Sequence, residues 1–305
     1  MNRIRKAVIP IAGHGIRMMP ATRAVRKALF PIVDDRGRVR PVLQLIIEEA
    51  LHAEIEEIGL VIAPEDKARI GAYFSRLPGP LKKAIGNHEE MLEAAELPGR
   101  ISDRLTIITQ DRPAGLGDAV LRTESWIGGD PFLVMLGDHL YLSREKRCCA
   151  RQLLDAYADL QAPVSGLIRK SVDAIGHFGT VSGRPDPRSN GLYALDAVVE
   201  KPDIKLARDR LRVEGLPKDT FFCWFGLHAM TPDIFDCLAR LDKDGASDAG
   251  ELQLTGAQAM LSTQQTTYGL EINGEHFDTG SPRGYVDAVT AFADPTGFSG
   301  NPDNR

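Results

Sequence analysis

Cysteine is scarce in this 305-residue chain: four residues, at 148, 149, 223 and 237, with no C-x-x-C pair among them. No zinc-type ligand spacing or disulfide framework follows from those positions, which suits a reducing compartment. Aromatics are only 6% of the composition. No apolar run reaches the roughly 18 residues of a membrane-spanning helix. The first stretch is interrupted by Pro10, Gly13, His14 and Gly15 and does not read as a targeting segment. The cytoplasm is therefore the expected location, with no membrane partner. A basic excess is missing too: 37 Lys and Arg stand against 42 Asp and Glu, a net charge of −5. That disfavours nucleic acid as a main partner. There is no internal repeat, coiled coil or low-complexity block.

What is present is enough apolar residue, 43%, to bury a sizeable core. The charge is uneven. Residues 1–40 carry ten Lys or Arg against Asp34 and Asp35, a local charge of +8 that leaves −13 on the remainder. A confined positive field on an acidic body suits a small anionic ligand.

The first half alternates strand and helix patterns. Strands are expected at 6–12, 58–63, 105–109, 132–136 and 164–169, with helices at 42–54, 65–76, 81–96, 116–124 and 145–160. From 176 to 228 short strands divided by Gly, Pro and Asn take over. Helices are expected again at 232–241, 251–262 and 282–293, before a frayed tail over 294–305. The order predicts an α/β fold with a doubly wound, mostly parallel sheet and a β-rich portion in the second half. A single domain over 1–293 is expected, with two halves at about 1–140 and about 141–293.

Ligands of parallel sheets bind at the carboxyl ends of strands, so the turn after the first strand comes first. It runs Gly13-His-Gly-Ile-Arg-Met-Met-Pro-Ala-Thr-Arg-Ala-Val-Arg-Lys-Ala-Leu-Phe-Pro31. Close glycines let backbone N–H groups converge on an anion, and Arg17 and Lys27 add charge. A dinucleotide fingerprint wants a third glycine where Met18 stands; a P-loop wants a closing Gly-Lys-Ser/Thr, also missing. An ordinary structural turn with solvated basic residues is the remaining alternative. Further on, Asp138 ends an apolar strand, where a carboxylate is costly unless something cationic faces it; a helix cap or turn former is the plainer reading.

The loop resembles the signature of the bacterial sugar-phosphate nucleotidyltransferases, and more narrowly that of their uridylyltransferase branch. Six further segments follow in the order of that family: Gln110–Val120, Val134–Asp138, Phe178–Val181, Val199–Pro202, Gly250–Thr255 and Phe277–Gly280. The chain departs from the pattern at Ile16 (usually Thr), Arg26 (usually Pro), Ala28 (usually acidic) and His139 (usually small and apolar), and by an insertion over 35–39.

The resemblance implies a Rossmann-like nucleotidyltransferase fold and Mg²⁺-dependent transfer of a nucleotidyl group from UTP to glucose 1-phosphate, giving UDP-glucose and pyrophosphate. It assigns Ala12, Gly13, Gly15, Arg17, Lys27, Gln110 and Gly115 to the nucleotide, with Arg17 and Lys27 catalytic. Gly179, Glu200 and Lys201 would take the sugar phosphate, and Asp138 and Asp278 the metal. The Gln110 amide offers a donor and an acceptor for the edge of uracil or thymine. For Glu200–Lys201 the plainer alternative is an exposed strand-end pair. The expected partners are small-molecule substrates and, as in relatives, further copies of the chain. The departures leave two alternatives: the same chemistry with another nucleotide or sugar 1-phosphate, and a weakly active or non-catalytic regulator that binds nucleotide sugars. The remaining histidines, Trp126 and Trp224 read as core or surface.

Overall fold

The computed structural model describes residues 3–245 and 250–294. Its strands are β1 (Lys6–Pro10), β2 (Pro31–Val33), β3 (Val39–Pro41), β4 (Glu57–Ile62), β5 (Leu105–Thr109), β6 (Phe132–Met135), β7 (His139–Ser143), β8 (Val164–Ser171), β9 (Gly179–Pro185), β10 (Leu192–Glu200), β11 (Thr220–Met230), β12 (Tyr268–Glu271) and β13 (Gly274–Asp278). Among the described residues the largest sheet has the order β5-β4-β1-β6-β11-β8-β12-β10-β9.

β5, β4, β1 and β6 run parallel. The apolar centres of β1, β4 and β6 are buried and demand cover on both faces. Ala7, Ile9, Leu133 and Met135 share one core with Leu43, Ile46 and Ile47 of the helix Val42–His52. Val8, Val61 and Val134 share another with Ile234, Phe235 and Leu238 of the helix Asp233–Lys243.

Beyond β6 the sheet is mixed, which corrects the expectation of a mostly parallel one. β11 lies antiparallel to β6 and β8, β12 is parallel to β8, and β10 is antiparallel to both its neighbours. β11 also pairs with β9, so β11-β8-β12-β10-β9 close into a ring. Short connections decide this. β9 and β10 are joined by a turn over 186–191, too short for the crossover a parallel pair needs.

Two five-residue strands, β7 and β13, were not anticipated; they pair antiparallel with Asp278 opposite His139. The helix expected at 81–96 is two, Gly79–Ile85 and Glu89–Ile101, divided at Gly86 where φ is +65°. A short helix, Ile204–Arg210, was also missed. The insertion over 35–39 turns the β2–β3 hairpin around Asp34, whose carboxylate accepts the backbone N–H of Arg36 and Arg38 and the guanidinium groups of Arg38 and Arg40. Of the expected tail, all but Asp294 lies outside the described residues.

Candidate active site

After β1 the chain winds through three short turns, Ile16–Met18, Ala21–Arg23 and Lys27–Leu29. Gly15 makes the winding possible: its φ is +65°, and a Cβ there would lie 2.9 Å from the Thr22 methyl. The Thr22 hydroxyl donates to the Gly15 carbonyl at 3.1 Å and ties the loop shut. Two cations are thereby aimed at one place. Lys27 Nζ donates to Asp138 Oδ2 at 2.5 Å. Arg17 forks onto Asp278 at 2.8 and 3.3 Å and lies 3.8 Å from Asp138 Oδ2.

Asp138 lies in the turn between β6 and β7, and Asp278 closes β13. The β7–β13 ladder brings them together, and both the backbone N–H and the hydroxyl of Thr279 donate to the Asp138 carbonyl at 2.8 Å. Ligand-type atoms of Asp138, His139 and Asp278 lie within 4.8 Å of one another. Gly280 keeps that space open, since a Cβ there would sit 2.4 Å from Asp138 Oδ2 and 3.0 Å from Asp278 Oδ1. Opposite ligands of a small hard cation are about 4.2 Å apart, so this donor set fits a divalent metal that prefers oxygen. Burial, the largest single influence, pushes the Asp138 carboxyl up, but the neighbouring positive groups, Lys27 foremost with Arg17 behind it, together outweigh it and hold the group down at about 2. The carboxylate is therefore charged at neutral pH.

Two cavities meet here. One, of about 470 Å³, is lined by Ala12, Gly13, Gly15, Lys27, Gln110 and Gly115. The other, of about 420 Å³, is lined by Gly179, Glu200, Lys201 and Asp278. Arg17, Leu116, Leu136 and Asp138 border both. The residues that the resemblance assigns to nucleotide, sugar phosphate and metal thus all line one cavity or the other.

Local details refine the reading. The Gln110 amide donates to Asp118 at 2.6 Å and to the Gly115 carbonyl at 3.1 Å, so its donor is engaged within the protein. Gly115, at φ +106°, is required by the backbone itself: a Cβ would lie 2.4 Å from the Leu252 carbonyl oxygen. In the second cavity Glu200 accepts from the Thr255 hydroxyl at 2.7 Å and lies 3.4 Å from Lys201 Nζ. Lys201 has the uncommon φ of +45°. Gly179 leaves room for Trp224, whose indole Cδ1 would be 2.4 Å from any Cβ.

Trp224, expected as core or surface, lines the second cavity, and its buried Nε1 has no hydrogen-bond partner among the described residues. Nothing in its apolar strand signals this. His139 and Gly280 were missed as well, although Gly280 lies inside a quoted motif. The +8 of the first forty residues does not converge on the site. Of the ten Lys and Arg there, Arg3, Lys6, Arg26, Arg38 and Arg40 are paired with carboxylates elsewhere, and Arg17 and Lys27 line the cavities. Arg26 in particular donates to Asp66 at 2.8 Å and Glu65 at 2.7 Å.

The pattern described as "Nucleotidyl transferase" matches residues 6–294. The chain belongs to the nucleotidyl transferase family. Within it the chain is similar to UTP–glucose-1-phosphate uridylyltransferase 2 of Streptococcus pyogenes serotype M3, with 32% identity over 96% of this chain and 91% of that one. Among solved nucleotidyl transferases, apo UDP-glucose pyrophosphorylase superposes with a TM-score of 0.80 at 26% identity, covering 96% of this chain and 99% of the other. UTP-bound UGPase from Acinetobacter baumannii gives 0.76 at 28% identity, over 95% and 93%. The mixed α/β fold is that of these proteins. No helix among the described residues is long and apolar enough to cross a membrane.

Proposed function

We propose that this nucleotidyl transferase joins UTP and glucose 1-phosphate to give UDP-glucose and pyrophosphate. The observation that carries the reading is the seam of the two cavities, where Arg17 and Asp138 border both and Lys27 and Asp278 stand on either side. A reaction between two polyanions needs such a place. An oxygen of the sugar phosphate bonds to the α-phosphorus of UTP while the bond from that phosphorus to the bridging oxygen breaks, and pyrophosphate departs with the electron pair. The attacking oxygen is already ionised near neutral pH, so positioning and charge neutralisation carry the catalysis.

The geometry supports the following roles. Residues 12–15 present backbone to the triphosphate. Arg17, with its forked donors, clamps two oxygens, and Lys27 acts as a point charge at the reacting phosphate. Gln110 keeps its Oε1 for a donor such as the N3–H of uracil. Glu200, set by Thr255, accepts from sugar hydroxyls, while the exposed Lys201 ammonium meets the sugar phosphate. Asp138 and Asp278 would hold a divalent metal, Mg²⁺ in this reading, which when bound neutralises phosphate charge and orients the oxygens. One domain over 1–293 has its nucleotide half at about 1–140 and its sugar half at about 141–293. A homo-oligomer of cytoplasmic location completes the reading.

The test mixes purified protein, Mg²⁺, each nucleoside triphosphate and a panel of sugar 1-phosphates, and follows pyrophosphate. Fastest release with UTP and glucose 1-phosphate supports the reading. A faster alternative pair reassigns the substrates, and UTP binding without release from any pair leaves a regulator.

A further inference from the structure

His139 stands where the resembled family has a small apolar residue, and its ring is placed with care. It stacks on His276 with centroids 4.9 Å apart and planes 3° apart. Gly226, at φ +94°, makes room for it, since a Cβ there would lie 2.4 Å from His139 Nδ1. Nδ1 faces the Phe225 carbonyl at 3.5 Å. A carbonyl oxygen can only accept, so with the ring proton on Nδ1 this contact is a donor–acceptor pair, and the other ring nitrogen, Nε2, is free to ligate a cation at the cavity that His139 lines. An imidazole with one N–H held by a backbone carbonyl is the arrangement found in metal-ligating histidines. A ligand-type atom of the ring also lies within 4.8 Å of carboxylate oxygens of both Asp138 and Asp278.

We propose that His139 is a third, nitrogen ligand at the Asp138–Asp278 cation site, and that it biases the site toward borderline first-row divalent cations such as Co²⁺ relative to Mg²⁺. The physical reason is donor softness: imidazole adds little for Mg²⁺, which prefers oxygen, and more for cations further along the first row. This rests on the reading of the two carboxylates as a cation site.

The test is pulsed EPR of Mn²⁺ added to the purified protein in the presence of UTP. An imidazole-type ¹⁴N modulation is expected, replaced by a ¹⁵N pattern when the protein carries ¹⁵N-histidine. His139→Val should abolish it and lower the Co²⁺-to-Mg²⁺ affinity ratio by about tenfold or more. Protein-bound Mn²⁺ without histidine nitrogen coupling overturns the proposal while the cation site stands, and His139 is then packing for His276. Absence of any protein-bound Mn²⁺ overturns the cation site itself, and the proposal with it. The isotope measurement on the unaltered chain decides the matter even if the variant does not fold.

Discussion

Asp138 and Asp278 come from opposite halves of the chain and are joined through Arg17, which holds the second at 2.8 Å while reaching the first at 3.8 Å, and Lys27 holds the first at 2.5 Å. Neither carboxylate has its partner in sequence. The β7–β13 ladder, through the register of Asp278 against His139, sets the pair. The loop after β1 supplies both cations because Gly15 lets it fold back.

Asp138→Asn removes the charge from that arrangement without changing its volume. Turnover is expected to fall by about a thousandfold, corresponding to several kcal/mol of electrostatic stabilisation. The fold should survive. Pyrophosphate release together with a thermal melt checks both, and turnover near the starting value would remove Asp138 from the reaction centre.

Lys201→Ala deletes an exposed ammonium from the second cavity only. The KM for glucose 1-phosphate should rise about tenfold, in keeping with a charge-assisted contact of 1.5–3 kcal/mol, with a smaller change for UTP. Steady-state kinetics with each substrate varied in turn tests this. Equal effects on both would show that the cavities do not divide the substrates as assigned.

Gly179→Ala forces the Trp224 indole to move, because its Cδ1 lies 2.4 Å from the new Cβ. The expected loss is about 1–3 kcal/mol of stability, from overpacking, accompanied by a shift in tryptophan emission and weaker sugar-phosphate binding. Urea unfolding with fluorescence detection reads both effects. An unchanged spectrum and midpoint would mean the indole has freedom that the packing denies.

Arg26→Met leaves Asp66, which is buried, without its 2.8 Å partner; Arg69 is 3.8 Å away and compensates little. Stability should drop by about 1–3 kcal/mol, while the KM for UTP stays within about twofold. A large rise in that KM would instead place Arg26 on the nucleotide.

His228 is buried between Ser165 and Gln258, and burial drives its imidazole down to about 3. Its folded value lies below the unfolded one, near 6.5. The neutral ring therefore costs nothing above about pH 6.5, and stability is lost progressively as pH falls from there toward 3. Replacing the ring by Asn should flatten the dependence by up to ~1.4 kcal/mol per pH unit between about pH 4 and 6. Urea midpoints across that range, compared between the two proteins, provide the measurement, and parallel curves would refute the assignment.

Much of this was written locally. The apolar runs of β1, β4 and β6 announce buried parallel strands because both of their faces must be covered. The glycine loop, Gln110–Val120, Asp138, Glu200–Lys201 and Phe277–Gly280 announce the site because their chemistry needs those residue types. Other features were not local at all. β7 and β13 carry no lasting alternation and exist because they pair with each other across the chain. The ring β11-β8-β12-β10-β9 depends on β11 meeting β9, a contact that neither strand specifies alone. Trp224 sits in an apolar strand and looks like core until β9 places Gly179 beneath it. The sequence by itself determined which groups could do the chemistry and where the first sheet would form, since burial pattern and charge are properties of the residues. Only the tertiary structure decided that Asp138 and Asp278 share Arg17, with Lys27 on Asp138, and that Arg26, Arg38 and Arg40 do not join them. Convergence of distant side chains is set by strand register and loop closure, which are long-range properties that no single segment encodes.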